Sequence, residues 1–379
     1  MSKAGFMPSV FRALRAESGQ IKAYIFELPM RVKFRGITMR EGVLLQGPAG
    51  WAEFSPFWDY RTAESARWLM GGLDSVLRGY PLSAQQRREI PINATVPAVP
   101  APQAAEIAQA LGAHTAKVKV AEPGQTIQDD LSRLAAVRAA LGAKANIRID
   151  VNGKWDLRTA CDNLPKYDRA ARGLEYAEQP CADVADLARL RKRIPSVQIA
   201  ADESLRRAEN PLLVRDLAAA DVVVVKNQPL LGVRAALELV TELDLPAVVS
   251  SALESSVGLV SGLYLAAALP DLRYACGLGT AKLFHIDVSS QALLARAGVL
   301  PVRKVDPDFL LDAYHRDGYC MAELKNGESR RQEVSAPRAE TFFKWEKRLH
   351  ETWEFCQAQG WLHEKLLVQL IRPQYLREI

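Results

Sequence analysis

Short apolar runs rich in Val, Ile and Ala alternate with longer amphipathic stretches through the middle of the chain, from about residue 93 to residue 275. An apolar run bounded by polar or turn residues is typical of a strand buried on both faces. Strands that alternate with helices form βα units, which build a parallel sheet. The pattern predicts eight strands, at residues 92–99, 115–120, 146–151, 174–178, 197–203, 221–227, 245–251 and 272–277.

The stretches between these strands have the periodicity of helices that pack on a sheet. After the second strand, Thr126 is a good N-cap, and Asp129 follows three residues later as in a capping box. Behind this start, apolar residues recur at intervals of three and four, at Ile127, Leu131, Leu134, Val137 and Leu141.

Eight βα units can form an open doubly wound sheet or a closed barrel. The strand count favours the barrel, and no G-x-G-x-x-G sequence follows a strand to indicate a dinucleotide site. Alternating patterns at 22–28 and 42–47 predict a small α+β domain before the barrel. The predicted division is therefore 1–90 for this domain, 91–302 for the barrel and 303–379 for a C-terminal segment that packs back on the first domain.

The C-terminal segment carries an aromatic stripe at helical spacing, which predicts core packing against the first domain rather than a site. A polar stretch at 325–338 is predicted to be a loop. The stripe consists of Phe342, Trp345, Leu349 and Trp353.

Composition excludes several classes of protein. Of 379 residues, 49% are hydrophobic and 25% are charged, which is ordinary for a globular protein, and no apolar stretch reaches the ~20 residues of a membrane span. The first residues lack the apolar core of a signal peptide, so we expect a cytoplasmic protein.

Five cysteines without a C-x-x-C pair argue against disulfides and zinc. The net charge of +5 is not gathered into a run, so we expect no nucleic-acid partner; a small anionic substrate suits it equally well.

Charged residues stand at the ends of otherwise apolar strands. In a barrel of parallel strands such positions face the site at the carboxyl end. Successive ones are separated by 24 to 31 residues, about the length of one βα unit, and they read K, D, E, D, K: Lys119, Asp150, Glu178, Asp202 and Lys226.

Three carboxylates that converge without a counter-ion would repel one another and raise their pKa values. A divalent cation resolves this, and oxygen ligands without Cys or His are typical of Mg²⁺, with Mn²⁺ as the alternative. An ammonium beside such a cation and a second ammonium has a depressed pKa and can act as a base. The alternative without a functional role, for any one of these residues, is a surface charge or a helix cap.

Five motifs in order resemble the enolase superfamily, in its muconate-lactonising subgroup. The motifs are K-x-K at 117–119, D-x-N at 150–152, E-Q-P at 178–180, D-E-S at 202–204 and the sixth-strand Lys226. The resemblance implies a modified (β/α)8 barrel, similar to a TIM barrel, with an α+β capping domain. It also implies Mg²⁺ on Asp150, Glu178 and Asp202, Lys119 as the base, Lys117 in support, and an enediolate intermediate.

Within the superfamily, the seventh strand lacks the histidine base of some relatives. Residues 276–280 read Cys-Gly-Leu-Gly-Thr, without the D-x-D of dipeptide epimerases. This neutral loop offers backbone N–H groups to a second substrate anion, or it is only a tight turn. The sequences at 50–57, 250–258 and 275–280 resemble the o-succinylbenzoate synthase family of the actinobacterial type.

That resemblance implies a lyase of menaquinone biosynthesis that removes water from a dianionic cyclohexadiene carboxylate. Lys226 would stay cationic opposite Lys119. An N-acylamino acid racemase or another acid epimerase or cycloisomerase is the alternative, because both lysines serve there too, and a non-catalytic scaffold is the third hypothesis. Three capping-domain arginines are interpreted as surface residues rather than substrate contacts, and the oligomeric state stays open. The expected substrate-binding residues are Lys117, Ser250, Ser251, Gly277, Gly279 and Thr280; the three arginines are Arg31, Arg35 and Arg40.

Overall fold

The computed structural model describes residues 16–81, 87–315, 319–321 and 333–373, together with Val10 and Leu14. Its largest element is a sheet of seven strands in sequence order, and every neighbouring pair is parallel. The strands are β5 (Ala94–Val96), β6 (Thr115–Lys119), β7 (Asn146–Asp150), β8 (Tyr176–Glu178), β9 (Ile199–Ala201), β10 (Val222–Val225) and β11 (Ala247–Val249).

A two-residue segment closes this sheet into a barrel. Cys276 bridges Ile92 beside β5, and Gly277 bridges Ser250 beside β11, both in parallel. The predicted eighth strand at 272–277 is therefore wrong in extent, because only its last two residues reach both edges of the sheet. The other seven predicted strands are confirmed, and each is one to five residues shorter at its ends. The barrel is thus a modified one, as predicted.

Helices cover the outside of the barrel, and others belong to the capping domain and to the C-terminal segment. In chain order they are α1 (Thr62–Arg78), α2 (Ala101–Gln109), α3 (Ile127–Leu141), α4 (Leu157–Ala171), α5 (Val184–Arg193), α6 (Glu203–Arg206), α7 (Leu213–Asp216), α8 (Gly232–Leu243), α9 (Ser256–Ala268), α10 (Asp308–His315) and α11 (Ala339–Ala358), with a 3-10 helix at Gly279–Leu283. The predicted capping box of α3 is present: Thr126 accepts from the Asp129 backbone, and the Asp129 side chain accepts from the Thr126 backbone. None of the described helices is both long and apolar enough to cross a bilayer.

The capping domain is a four-stranded sheet with α1 on one side. Its strands β1 (Gly19–Phe34), β2 (Ile37–Gly47) and β3 (Gly50–Phe54) are antiparallel, and β15 (Leu366–Leu370) from the C-terminal segment adds to β1 in parallel. A β-carbon on Gly71 of α1 would lie 2.5 Å from the backbone nitrogen of Gly232 at the start of α8. The cap and the barrel therefore approach each other backbone to backbone at this point.

The C-terminal segment packs on the cap through α11. All four residues of the aromatic stripe are buried, and the Trp345 ring meets Phe54 edge to face at 6.0 Å, which confirms the predicted core packing. Of the loop predicted at 325–338, residues 325–332 lie outside the described residues. The next three form a strand, which corrects that prediction. The short strands are β4 (Glu89–Pro91), β12 (Val299–Pro301), β13 (Tyr319–Met321) and β14 (Glu333–Ser335), paired β4 with β12 and β13 with β14.

Candidate active site

The five strand-end charges lie together at the carboxyl end of the barrel. Lys119, Asp150 and Glu178 occupy one row across β6, β7 and β8, because Lys119 is in register with Asp150 and Asp150 with Glu178. Asp202 follows β9 directly, and Lys226 follows β10. All five residues are at most 8% exposed, so they form a single buried cluster.

The lysines are ion-paired with the carboxylates. Lys119 Nζ lies 2.7 Å from Asp150 Oδ2, and Lys226 Nζ lies 2.5 Å from Asp202 Oδ2. Lys117 donates to both Glu178 oxygens at 2.9 Å and lies 3.3 Å from Asp150. Both residues of the K-x-K motif therefore point into the cluster, as the two-residue repeat of a strand requires.

Two residues beyond the predicted set complete the cluster. Asn152 accepts a hydrogen bond from Lys119 Nζ at 2.5 Å. Arg206, one helical turn after Asp202, donates from Nε to Asp202 Oδ1 at 2.9 Å. Arg206 also contacts Glu203, whose carboxylate accepts from Asn152 at 3.2 Å. The spacing of four residues between Asp202 and Arg206 is visible in the sequence and could have indicated this ion pair.

Burial and charge act in opposite directions on these groups. Burial raises the pKa of Glu178 to about 7, and the nearby Asp150 adds to the rise. For Asp150, burial is outweighed by Lys119, Lys117 and Lys226, which hold its pKa well below the usual range. Burial lowers the pKa of Lys226 despite its pairing with Asp202. Glu178 is thus the carboxylate of the cluster whose charge is least compensated.

The donor set fits a hard divalent cation. Its oxygens come from three carboxylates on neighbouring strands, which is the ligand type that Mg²⁺ prefers. In the described part of the chain no three His, Cys, Asp or Glu side chains lie in a ready-made metal-binding arrangement, and each of the three carboxylates contacts a lysine or an arginine. The raised pKa of Glu178 shows where added positive charge would be stabilising.

A pocket opens at the cluster, at the carboxyl end of the barrel. Most of the residues predicted to bind substrate line it, together with both predicted catalytic lysines. Glu178 and Asp202 are fully buried and do not line the pocket. The predicted residues in its wall are Lys117, Lys119, Asp150, Lys226, Ser250, Ser251, Gly277 and Thr280.

Gly279 is the predicted substrate-binding residue that the structure does not bring to this wall. It lies in the 3-10 helix, where an added β-carbon would be 2.9 Å from Ile92 Cγ2 and 3.4 Å from Leu111 Cδ1. Gly277 does lie in the wall, and a β-carbon there would be 2.5 Å from Ser250 Oγ. Gly277 therefore allows the loop to approach Ser250 closely at the pocket, whereas Gly279 allows it to pack against Ile92 and Leu111 in the core.

The capping domain contributes residues that the sequence analysis missed or misjudged. Arg35 is exposed, as interpreted from the sequence, and it also lines the pocket beside Phe34. Arg40 is only 2% exposed and donates to the Leu253 carbonyl at 2.8 Å, so its assignment to the surface is wrong. Arg31 donates to the Phe284 carbonyl at 2.8 Å. Thr95, Ala252 and Leu253 also line the pocket.

Comparison with known proteins shows the family of this chain. Residues 25–76 match the model for the enolase N-terminal domain-like family, and residues 101–307 match the enolase C-terminal domain-like family. An o-succinylbenzoate synthase of Thermobifida fusca is 57% identical over 281 residues, which is 74% of this chain and 87% of that protein. The chain belongs to the o-succinylbenzoate synthase family. A second member, from Mycobacterium leprae, is 49% identical over 76% of this chain and 84% of its own length.

Solved structures of more distant enolase superfamily members have the same fold. The L-Ala-D/L-Glu epimerase of Bacillus subtilis has a TM-score of 0.62 at 19% identity over 77% of this chain and 98% of that one. The muconate lactonizing enzyme of Pseudomonas fluorescens has a TM-score of 0.63 at 19% identity over 77% and 96%. The predicted barrel with a capping domain, the superfamily and the synthase family are confirmed, and the racemase alternative is not favoured.

Proposed function

We propose that this protein removes water from 2-succinyl-6-hydroxy-2,4-cyclohexadiene-1-carboxylate to give 2-succinylbenzoate, a step of menaquinone biosynthesis. The observation that carries the proposal is the pocket wall itself. Lys119 and Lys226 both reach it from strands separated by β7, β8 and β9, with the carboxylates between them. Membership of the synthase family supports the same reaction. The chain is an enzyme, a hydro-lyase of the enolase superfamily.

The carboxylates would hold the divalent cation. Asp150, Glu178 and Asp202 are the residues that fit it, and Mg²⁺ bound there supplies positive charge next to the substrate carboxylate. Such a charge would stabilise the negative charge that develops when the substrate carbon bonded to that carboxylate loses its proton.

Lys119 would move the proton. Its neutral amine takes the proton from the carbon next to the carboxylate, and the resulting ammonium gives it to the departing hydroxyl group, so that water leaves and the ring becomes aromatic. Asn152 and Asp150 hold Lys119 Nζ in place for both transfers, at 2.5 Å and 2.7 Å. One lysine therefore acts as base and then as acid.

Lys226 would act as a fixed positive charge on the other side of the ring. Its ion pair with Asp202 at 2.5 Å favours the ammonium form against the effect of burial. A preorganised charge that faces the intermediate lowers the barrier without reorganisation during the reaction. Lys226 transfers no proton in this scheme, unlike in a racemase.

The succinyl group would lie against the hydroxyl groups between β11 and the 3-10 helix. Ser251 and Thr280 hydroxyls are 2.8 Å apart, and both residues line the pocket. Ser250 and Gly277 are close neighbours in the same wall. Arg35 adds a cation from the capping domain. These groups suit a second carboxylate at a distance from the metal.

The test is direct turnover. The purified protein with the cyclohexadiene substrate and Mg²⁺ or Mn²⁺ should produce the absorbance of the aromatic product, and EDTA should stop the reaction. Lys119→Ala should remove activity, whereas Lys166→Ala, which removes an exposed lysine of α4, should not. Absence of turnover by the unmodified protein would contradict the proposal.

A further inference from the structure

One buried arginine of the C-terminal helix is bonded almost entirely to a loop of the capping domain. Arg348 of α11 donates to three backbone carbonyls in residues 55–61, which we call the Phe57 loop, and to the Ser65 hydroxyl at the start of α1. Only 8% of Arg348 is exposed. The carbonyls belong to Pro56, Phe57 and Tyr60, at 3.1, 2.9 and 3.0 Å.

Arg348 makes these bonds without an ion-pair partner among the described residues. Burial lowers the pKa of its guanidinium to about 10, with Arg40 adding to the decrease. The guanidinium packs against the rings of Trp58 and Trp345, at 4.5 and 5.3 Å from their centres, and the two rings contact each other. Burying an unpaired cation is costly unless hydrogen bonds replace the lost water, and here the Phe57 loop provides nearly all of them.

The other side of the Phe57 loop reaches the active site at two points. The guanidinium of Arg35, which lines the pocket, lies 4.2 Å from the centre of the Phe57 ring. The Tyr60 hydroxyl accepts a hydrogen bond from Arg206. Arg206 in turn donates to Asp202 at 2.9 Å. A shift of the loop would therefore move two cations of the pocket.

We propose that Arg348 is a positioning residue, which holds the Phe57 loop against the barrel and so sets the places of Arg35 and Arg206 in the pocket. The C-terminal helix then contributes to substrate binding without touching substrate. The inference rests on the proposed function of the pocket. The expected effect is on KM more than on kcat, because Arg35 and Arg206 line the pocket, whereas the hydrogen bonds of Lys119 are to Asp150 and Asn152 and not to the Phe57 loop.

The experiment compares Arg348→Met and Arg348→Lys with two controls. Lys347→Met removes a neighbouring cation that is 77% exposed, and Cys356→Ala loosens the buried face of the same helix away from the loop. We expect Arg348→Met to raise KM on the order of tenfold with kcat within about threefold, since small displacements of binding groups have effects of this size. Arg348→Lys should raise KM less. Cys356→Ala should lower the thermal unfolding midpoint and leave KM unchanged.

A second readout does not depend on turnover. In hydrogen exchange followed by mass spectrometry, peptides covering the Phe57 loop should exchange about tenfold faster in Arg348→Met than in the unmodified protein, while peptides of β1 and β2 should not change. Unchanged KM together with unchanged loop exchange in the Arg348 variants would overturn the proposal, and if Arg348→Met fails to fold, the Lys variant decides alone. Should the unmodified protein show no turnover, the proposed function fails, whereas the exchange result still decides the positioning role.

Discussion

Glu53 connects the capping domain to the barrel through hydrogen bonds that are completely buried. It lies on β3, one residue before the end of that strand, and only 2% of it is exposed. One carboxylate oxygen accepts from the Ser55 hydroxyl at 2.5 Å, and the other accepts from the Ser255 backbone at 2.9 Å and its hydroxyl at 2.5 Å. Arg40 and Glu254 are the charged groups that act on it. The protonation of Glu53 should therefore affect the stability of the domain junction.

Burial, aided by Glu254, raises the pKa of Glu53 from 4.5 to about 7 against the opposing effects of Arg40 and of the hydrogen bonds from Ser255 and Ser55. Between pH 4.5 and about pH 7, Glu53 keeps its proton in the folded chain and has lost it in the unfolded chain. The free energy of unfolding therefore falls as pH rises through this interval, and it stays level with respect to Glu53 above it. At 1.36 kcal/mol per pKa unit, the contribution is up to about 3 kcal/mol.

Glu53→Gln should remove this contribution. The amide keeps the shape of the neutral carboxyl group, although one of its hydrogen bonds to Ser255 or Ser55 is lost at every pH, at a cost of about 1 kcal/mol. Urea unfolding at pH 5 and pH 8 should show the variant gaining up to about 3 kcal/mol on the unmodified protein across that range. Glu89→Gln, at an exposed position on β4, is the control. A difference between Glu53→Gln and the unmodified protein that stays constant with pH would refute the reasoning.

Three further predictions concern the site and the packing. Lys119→Ala should lower kcat by about 10²- to 10⁴-fold in the product-absorbance assay, and a smaller loss would argue against its role as the base. Glu178→Gln should weaken Mg²⁺ binding at least about tenfold by calorimetry, because it removes one of the three carboxylates that fit the cation, and an unchanged affinity would argue against Glu178 as a ligand. Gly71→Ala should lower the free energy of unfolding by about 1–3 kcal/mol in urea, through the clash with Gly232; an unchanged midpoint would mean that the helices move apart easily.

The position of the site at the end of the barrel could be predicted from the sequence because the signal is local. In a parallel sheet every strand ends at the same edge, so a charge at the end of an apolar strand marks that edge wherever it occurs. We could identify Lys119, Asp150 and Glu178 without knowing the loops or the cap. The capping box of α3 is equally local, since its two residues are three positions apart.

The capping-domain residues in the pocket wall, and Arg40, which bonds to the wall residue Leu253, could not be found in this way. Arg40 is 213 residues from Leu253 in the chain, and an isolated arginine is far more often exposed than buried. Its burial depends on carbonyl groups of a loop whose path is set by Leu253 itself, which adopts a left-handed conformation with φ of 67°. The short eighth strand is a similar case, because its pairing depends on where the two edges of the sheet meet and not on its own apolar residues.

The ion pairs of the site explain why the net charge of the chain is a poor guide to its substrate. Four cationic and four anionic side chains form two ion-paired groups, which Asn152 joins through hydrogen bonds to Lys119 and Glu203. With Lys119 as the neutral base these side chains sum to one negative charge, and Arg35 in the pocket wall brings the sum to zero. A divalent cation and a dianionic substrate that bind together leave it neutral, which avoids the high cost of burying an uncompensated charge. A monoanion would leave one positive charge in excess. The proposed substrate therefore matches the charge of the site, independently of the +5 of the whole chain. The two groups comprise Lys117, Lys119, Lys226 and Arg206 with Asp150, Glu178, Asp202 and Glu203.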